Sequence, residues 1–342
     1  MQSRSALVLL LATACACAGS SAPRPSPAPS AGGADEIKLQ DSAAQPAPAK
    51  SSTTSAPAQA TPAPDSLGTP GKPTVQLVEG FLGPWAAIHD EAEDVYLVSN
   101  TNGDPLVDDG NGFISRVSPQ GNVQELRFID GGKAGVSLSA PKGMVIFGDL
   151  LAVADLRALR IFNRKTGKPV RSIEIDGATA LTDVALMPDG TLVVSDAGQK
   201  LDKGVPVPTG TDALYRVDRE GGYSVIVRSP KLARPHGVMT NADSIDISTG
   251  GAAALLRYGL DGRERGMRTS PTGALEGLVT LPGAVRAFAS RDCRCVYTVN
   301  STYQFTPLMG GLDGPGDLGV DLRRRKLLIP LSGPSRLMIA PY

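Results

Sequence analysis

Six short motifs recur from Pro84 onward, and their middle and third positions hold most of the chain's candidate chemistry. They read Pro84-Trp85-Ala86, Pro141-Lys142-Gly143, Leu181-Thr182-Asp183, Pro235-His236-Gly237, Leu275-Glu276-Gly277 and Pro315-Gly316-Asp317. Together they supply an ammonium (Lys142), an imidazole (His236), three carboxylates (Asp183, Glu276 and Asp317) and Trp85, the single tryptophan of the sequence. His236 or Asp183 has the chemistry of a general base, and Lys142 that of an electrophile able to polarise a carbonyl. Glu276, His236 and Asp183 are the candidate ligands for a metal ion. The same side chains could instead bind a ligand without transforming it, or satisfy one another as a plug of salt bridges around buried water. A binding or catalytic role requires that the motifs converge on one place.

Periodicity supplies the elements that would bring them together. Each motif opens an apolar strand, followed by a turn and a second strand. The second strands are Val95–Asn100, Leu150–Asp155, Leu192–Asp196, Ser244–Ser248, Val285–Ser290 and Lys326–Leu331. Third strands follow at Phe113–Val117, Leu214–Val217 and Leu255–Leu260, each running into a turn glycine. The repeats are roughly 44 residues long, the size of one four-stranded propeller blade. With 39 Gly and 28 Pro the chain is a poor helical bundle, and its one Trp disfavours a tryptophan–aspartate repeat. The expected fold is all-β, a six-bladed β-propeller over residues 74–342. Arg336–Tyr342 is the third strand of the last blade, and Thr74–Glu79 the strand that closes it and removes a free sheet edge. In such a propeller the six motifs ring one mouth of the central channel. Trp85, Lys142, Asp183, His236, Glu276 and Asp317 are then the expected binding residues.

Charge and cysteine usage narrow the function. Lys+Arg and Asp+Glu both number 34, so no basic excess marks a nucleic-acid footprint. Two His and four Cys are too few for a Cys/His zinc cluster. The sequence has no Gly-x-Ser-x-Gly elbow and no P-loop, and Gly314–Gly319 matches the dinucleotide fingerprint only by letter, without its strand–turn–helix context. Asn100, Asn102, Asp104, Asp108 and Asn111 fall on a calcium-loop spacing, but Pro105 replaces the turn glycine and no bidentate Glu follows; Asx-turns explain them better. Cys293 and Cys295 are read as two thiols or one local disulfide.

The N-terminus reads differently. No Phe, Tyr or Trp precedes Phe81. Arg4, the apolar run Ala6–Ala14 and small residues around Cys15 and Cys17 make residues 1–18 an export signal. The run Ala12–Cys17 resembles the lipobox of bacterial lipoproteins, which implies lipidation of Cys15 or Cys17; ordinary cleavage after Ala18 is the alternative. Residues 19–73, dominated by Pro, Ala and Ser, have the composition of a disordered linker.

Several stretches carry a family resemblance: Val98-Ser99-Asn100, Asp109–Arg116, Leu181-Thr182-Asp183 and Gly316–Asp321. They are similar to the senescence-marker-protein/gluconolactonase propellers, over about Val75–Tyr342. The resemblance implies hydrolysis of sugar lactones with one divalent cation, commonly calcium, in the channel mouth. The family's metal ligands are a Glu, two Asn and an Asp. At the corresponding places this chain has Trp85, Thr182, His236 and Glu276. Calcium takes about six to eight oxygens, and Lys142 in the same ring would oppose a dication by roughly 1–5 kcal/mol. No cofactor is therefore expected, with calcium, or another metal on His236 and Glu276, as the alternative. The leading expectation is an exported, lipid-anchored propeller that binds a small molecule or protein at its mouth, associates with a membrane through its anchor and does not bind nucleic acid. The alternative is a sugar-lactone hydrolase with an altered metal site.

Overall fold

The computed structural model describes residues 74–342. The expected export signal, Cys15 and Cys17, and the Pro/Ala/Ser-rich segment lie outside the described residues.

Six four-stranded antiparallel sheets succeed one another along the chain. Blade 1 runs from Pro84–Asp90 to Val123–Asp130, blade 2 from Pro141–Phe147 to Pro169–Glu174, and blade 3 from Leu181–Leu186 to Tyr223–Arg228. Blade 4 runs from Pro235–Thr240 to Glu264–Thr269 and blade 5 from Leu275–Leu281 to Phe305–Met309. Blade 6 takes Gly319–Asp321, Lys326–Leu331 and Arg336–Pro341, and its fourth strand is Gln76–Val78. The chain thus closes on its own N-terminal strand, with Gln76 opposite Ile339 and Val78 opposite Leu337. The only helix among the described residues is one 3-10 turn, Pro230–Leu232.

Burial follows strand position. Second strands lie between neighbouring blades, so both faces are covered; every residue of Val95–Asn100, Leu192–Asp196 and Ser244–Thr249 is buried. That explains the apolar runs Val95–Val98 and Leu192–Val194; Ser244–Thr249 alternates polar and apolar residues although all of it is buried. Outer strands such as Glu264–Thr269 are mostly exposed and charged, which discourages pairing at the edge. The seam between the last and first blades is reinforced: Val78 and Phe81 pack with Tyr96, Leu337 and Ile339. Across it the Tyr96 hydroxyl donates to Asp321 at 2.8 Å, and Arg324 pairs with both Asp94 and Asp321 at 2.6 and 2.9 Å.

One element was not expected. Blade 3 carries an extra hairpin, Gln199–Asp202 against Val205–Pro208, inserted between its second and third strands. It leaves from Asp196, the residue opposite Leu181, and so projects from the same end as the six motifs.

Candidate functional site

In blades 1 to 5 the motifs form the first residues of the innermost strands, and each strand is irregular there. Pro84 pairs with Asn100 but Ala87 with Val98; Pro141 with Asp155 but Met144 with Val153. The same extra residue appears at Pro235/Val238, Leu275/Leu278 and Leu181/Asp183. A bulge leaves one residue out of the ladder and re-aims its side chain. Serines on the second strands hold the bulges of blades 1, 3 and 4. Ser99 Oγ accepts from Ala86 N at 3.0 Å, Ser195 Oγ from Asp183 N at 3.1 Å, and Ser248 Oγ from Gly237 N at 2.9 Å. Ser195 and Ser248 also donate to the carbonyls of His236 and Glu276, tying each motif to the next blade.

The six expected residues do meet, in two tiers. The first is built around Trp85. Lys142 Nζ lies 5.6 Å from the centre of the indole, and the His236 ring centre 6.2 Å. His236 Nδ1 is 2.9 Å from Glu276 Oε2. Thr182, the blade 3 member of this tier, donates to Pro235 O at 2.8 Å and is structural. The second tier comprises the third motif positions, where Asp183 and Asp317 meet side chain to side chain. Small residues make room for them: a Cβ on Gly143 would overlap Asp183, and one on Gly277 would overlap Asp317.

Burial and neighbouring charges set the protonation of these groups. Burial pulls the Lys142 ammonium down to about 8, although Asp155 and Asp196 oppose the shift. Burial pushes Asp183 up, and burial together with the Asp183 charge pushes Asp317 up. Burial alone would also raise Glu276, but the charges of His236 and Arg291 hold it below the usual carboxylate range.

Arg291 was not among the sequence-derived candidates. Its Nε donates to Glu276 Oε1 at 2.5 Å, and its Cζ lies 5.1 Å from the Trp85 ring centre. A second ring of positions could have pointed to it. The residues just after the second strands are Thr101, Leu156, Ala197, Gly250, Arg291 and Ser332. Antiparallel pairing places them at the same end as the motifs, and only Arg291 is charged. Gly250 in that ring leaves space for the His236 imidazole, which a Cβ there would meet at 2.8 Å.

A divalent cation does not fit these residues. Both Glu276 oxygens are engaged, by Arg291 and His236, and the Thr182 hydroxyl is spent between blades. Two cations already surround Trp85, at the place of the resembled family's Glu ligand. The Asn100–Asn111 loop forms Asx-turns: Asp104 Oδ1 accepts from Leu106 N and Asp109 Oδ1 from Asn111 N. Cys293, in the turn that begins with Arg291, is disulfide-bonded to Cys295, the first residue of the next strand.

Neither a protein-family profile nor a curated protein matches the sequence. Solved structures do match. A putative gluconolactonase superposes with TM-score 0.63 at 18% identity, covering 80% of this chain and 93% of its own. A gluconolactonase from Xanthomonas campestris gives 0.61 at 16%, covering 78% and 89%. The chain folds as a gluconolactonase-like propeller. Virginiamycin B lyase from Staphylococcus aureus also shares the architecture, with TM-score 0.56 at 11% identity, covering 79% and 100%. At these identities the likeness concerns the fold. In the mouth of this gluconolactonase-like propeller, Lys142 and Arg291 flank an indole.

Proposed function

We propose that the protein is a binding module that holds a small, acceptor-rich molecule, a carboxylate or lactone, against Trp85. One observation carries this reading: hydrogen-bond donors around the indole are left unspent. Arg291 Nη2 is buried without a partner, and the buried Lys142 Nζ donates only to Leu181 O. Buried donors need acceptors, and a carboxylate or lactone offers several in a small volume. Calorimetry against a panel of sugar acids and aldonolactones tests the proposal. Binding at least tenfold weaker in Trp85→Ala and Arg291→Gln supports it; no binding, or binding indifferent to both changes, overturns it.

A second reading rests on the His236–Glu276 contact. A carboxylate on Nδ1 orients the ring and leaves Nε2 as a base, the arrangement used to activate water. Metal-independent lactone hydrolysis, lost in His236→Gln, would put this reading first. Export and anchoring through Cys15 or Cys17 belong to the same proposal. The Cys293–Cys295 disulfide supports an oxidising compartment. Replacing both N-terminal cysteines with Ser should move the protein from the membrane to the soluble fraction; unchanged partitioning would count against an anchor.

A further inference from the structure

The end of the propeller opposite the motifs has a feature that the mouth does not explain. Between blades 2 and 3 lies a cleft of about 460 Å³, within the usual range for small-molecule sites of roughly 300–1,000 Å³. Its walls include Phe147, Leu150, Ile161, Ile173, Leu192 and Val217. Phe147 and Leu150 face each other at the turn end of blade 2, remote from Pro141 and Asp155. Val170 and Leu186 on its border are 56% and 37% exposed.

The neighbouring seam shows why this one is open. Between blades 1 and 2, Arg164 follows the last residue of a third strand and fills the gap with a buried pair to Asp90 at 2.8 Å. The register places Asp218 at the equivalent position of blade 3, since Val217 pairs with Leu192 as Asn163 pairs with Leu150. Across from it, Phe147 ends the inner strand of blade 2 as Asp90 ends that of blade 1. Asp218 and Phe147 cannot form an ion pair, so the gap stays unfilled.

Two arginines border the cleft. Arg171 donates to the Arg219 carbonyl at 3.1 Å, and the Arg219 guanidinium lies over Gly190. Neither forms an ion pair among the described residues, whereas Arg160, Arg164 and Arg216 nearby all do. Asp218, the acid beside them, accepts from Gly222 N at 2.7 Å.

An apolar slot bordered by two unpaired guanidinium groups is complementary to an amphiphile with one anionic end. We infer that the cleft between blades 2 and 3 binds a medium-chain carboxylate, its alkyl chain among Phe147, Leu150 and Ile161 and its head at Arg171 and Arg219. This site is separate from the mouth and does not depend on the function proposed there.

Calorimetry with decanoate below its micellar concentration tests the inference on the full chain, with decanol and decyltrimethylammonium as comparisons. The expected result is one-to-one binding of decanoate, at least tenfold weaker binding of decanol, and none of the cation. Arg171→Gln with Arg219→Gln should weaken decanoate at least tenfold. Val170→Trp, at a position exposed enough to leave the fold intact, should block the cleft. Arg291→Gln at the mouth should leave decanoate binding unchanged. No decanoate binding, equal binding in the arginine and Val170→Trp variants, or loss in Arg291→Gln alone would each overturn the assignment.

Discussion

Asp183 of blade 3 and Asp317 of blade 6 bring their buried carboxyls together, although they lie 134 positions apart in sequence. Asp183 also accepts from Val184 N and Val238 N at 2.7 and 2.8 Å, so the pair ties blades 3, 4 and 6 together. Two carboxyls in this contact cannot both ionise cheaply, and a shared proton holds them.

The first prediction follows from that proton. Both pKa values are raised, mainly by burial, so the folded state keeps protons that the unfolded chain releases. Their stabilisation is full below the ordinary carboxylate value of about 4 and is lost as pH rises through the raised values. Asp317→Asn supplies a permanent amide donor in place of the shared proton. The melting temperature of this variant should fall less steeply than wild type between about pH 4 and 7. Asp212, raised to about 6 by burial, acts in the same direction in both proteins and cancels in the comparison. Identical slopes would show that the pair does not share a proton.

Closure is tested by deletion. Removing residues 74–79 strips the outer strand from blade 6 and uncovers the seam around Val78, whose burial contributes roughly 1.5–3 kcal/mol before any pairing is counted. At roughly 2–4 °C per kcal/mol, the melting temperature should drop by at least 5 °C. Deletion of residues 20–70 is the control, and should leave it unchanged because that composition has too little apolar surface to pack. Equal effects would contradict closure by Gln76–Val78.

Ser248 joins the fold to the site. Its hydroxyl accepts from Gly237 N and donates to Glu276 O, so Ser248→Ala leaves both groups buried without that partner. The expected cost is roughly 1–3 kcal/mol of stability. Any ligand held at Trp85 should also bind more weakly, because Glu276 positions His236 and Arg291. A loss of stability with unchanged affinity would show that the bulge does not set the mouth.

Calcium provides the fourth test. Wild type should show no rise in melting temperature with millimolar calcium. Restoring oxygen ligands through Trp85→Glu, Thr182→Asn, His236→Asn and Glu276→Asp should not suffice while Arg291 remains. Adding Arg291→Ala and Lys142→Met removes both competing cations, and this variant should gain a calcium-dependent rise of several degrees. A calcium-dependent rise in wild type would restore the family's metal site and favour the hydrolase reading.

The repeat was readable in the chain because each blade must satisfy the same local conditions. A second strand covered on both faces favours a run of apolar residues, as at Val95–Val98, and a turn must follow each strand. Those conditions are local, so they leave a periodic trace that Pro84, Pro141, Pro235 and Pro315 mark directly. The closing strand was also legible, since the last blade otherwise lacks one.

Tertiary structure decided what local sequence does not encode. Arg291 reaches Glu276 and Trp85 from a turn that resembles any other charged surface turn, and only closure of the ring sets blade 5 facing blade 1. The division into two tiers came from the bulges, which the repeat spacing does not reveal. The seam between blades 2 and 3 stays open because Asp218 and Phe147 stand at the positions where Arg164 and Asp90 pair one blade earlier. Whether a side chain pairs, packs or stays unpartnered depends on what the neighbouring blade presents, and that is settled only when the sheets pack against one another.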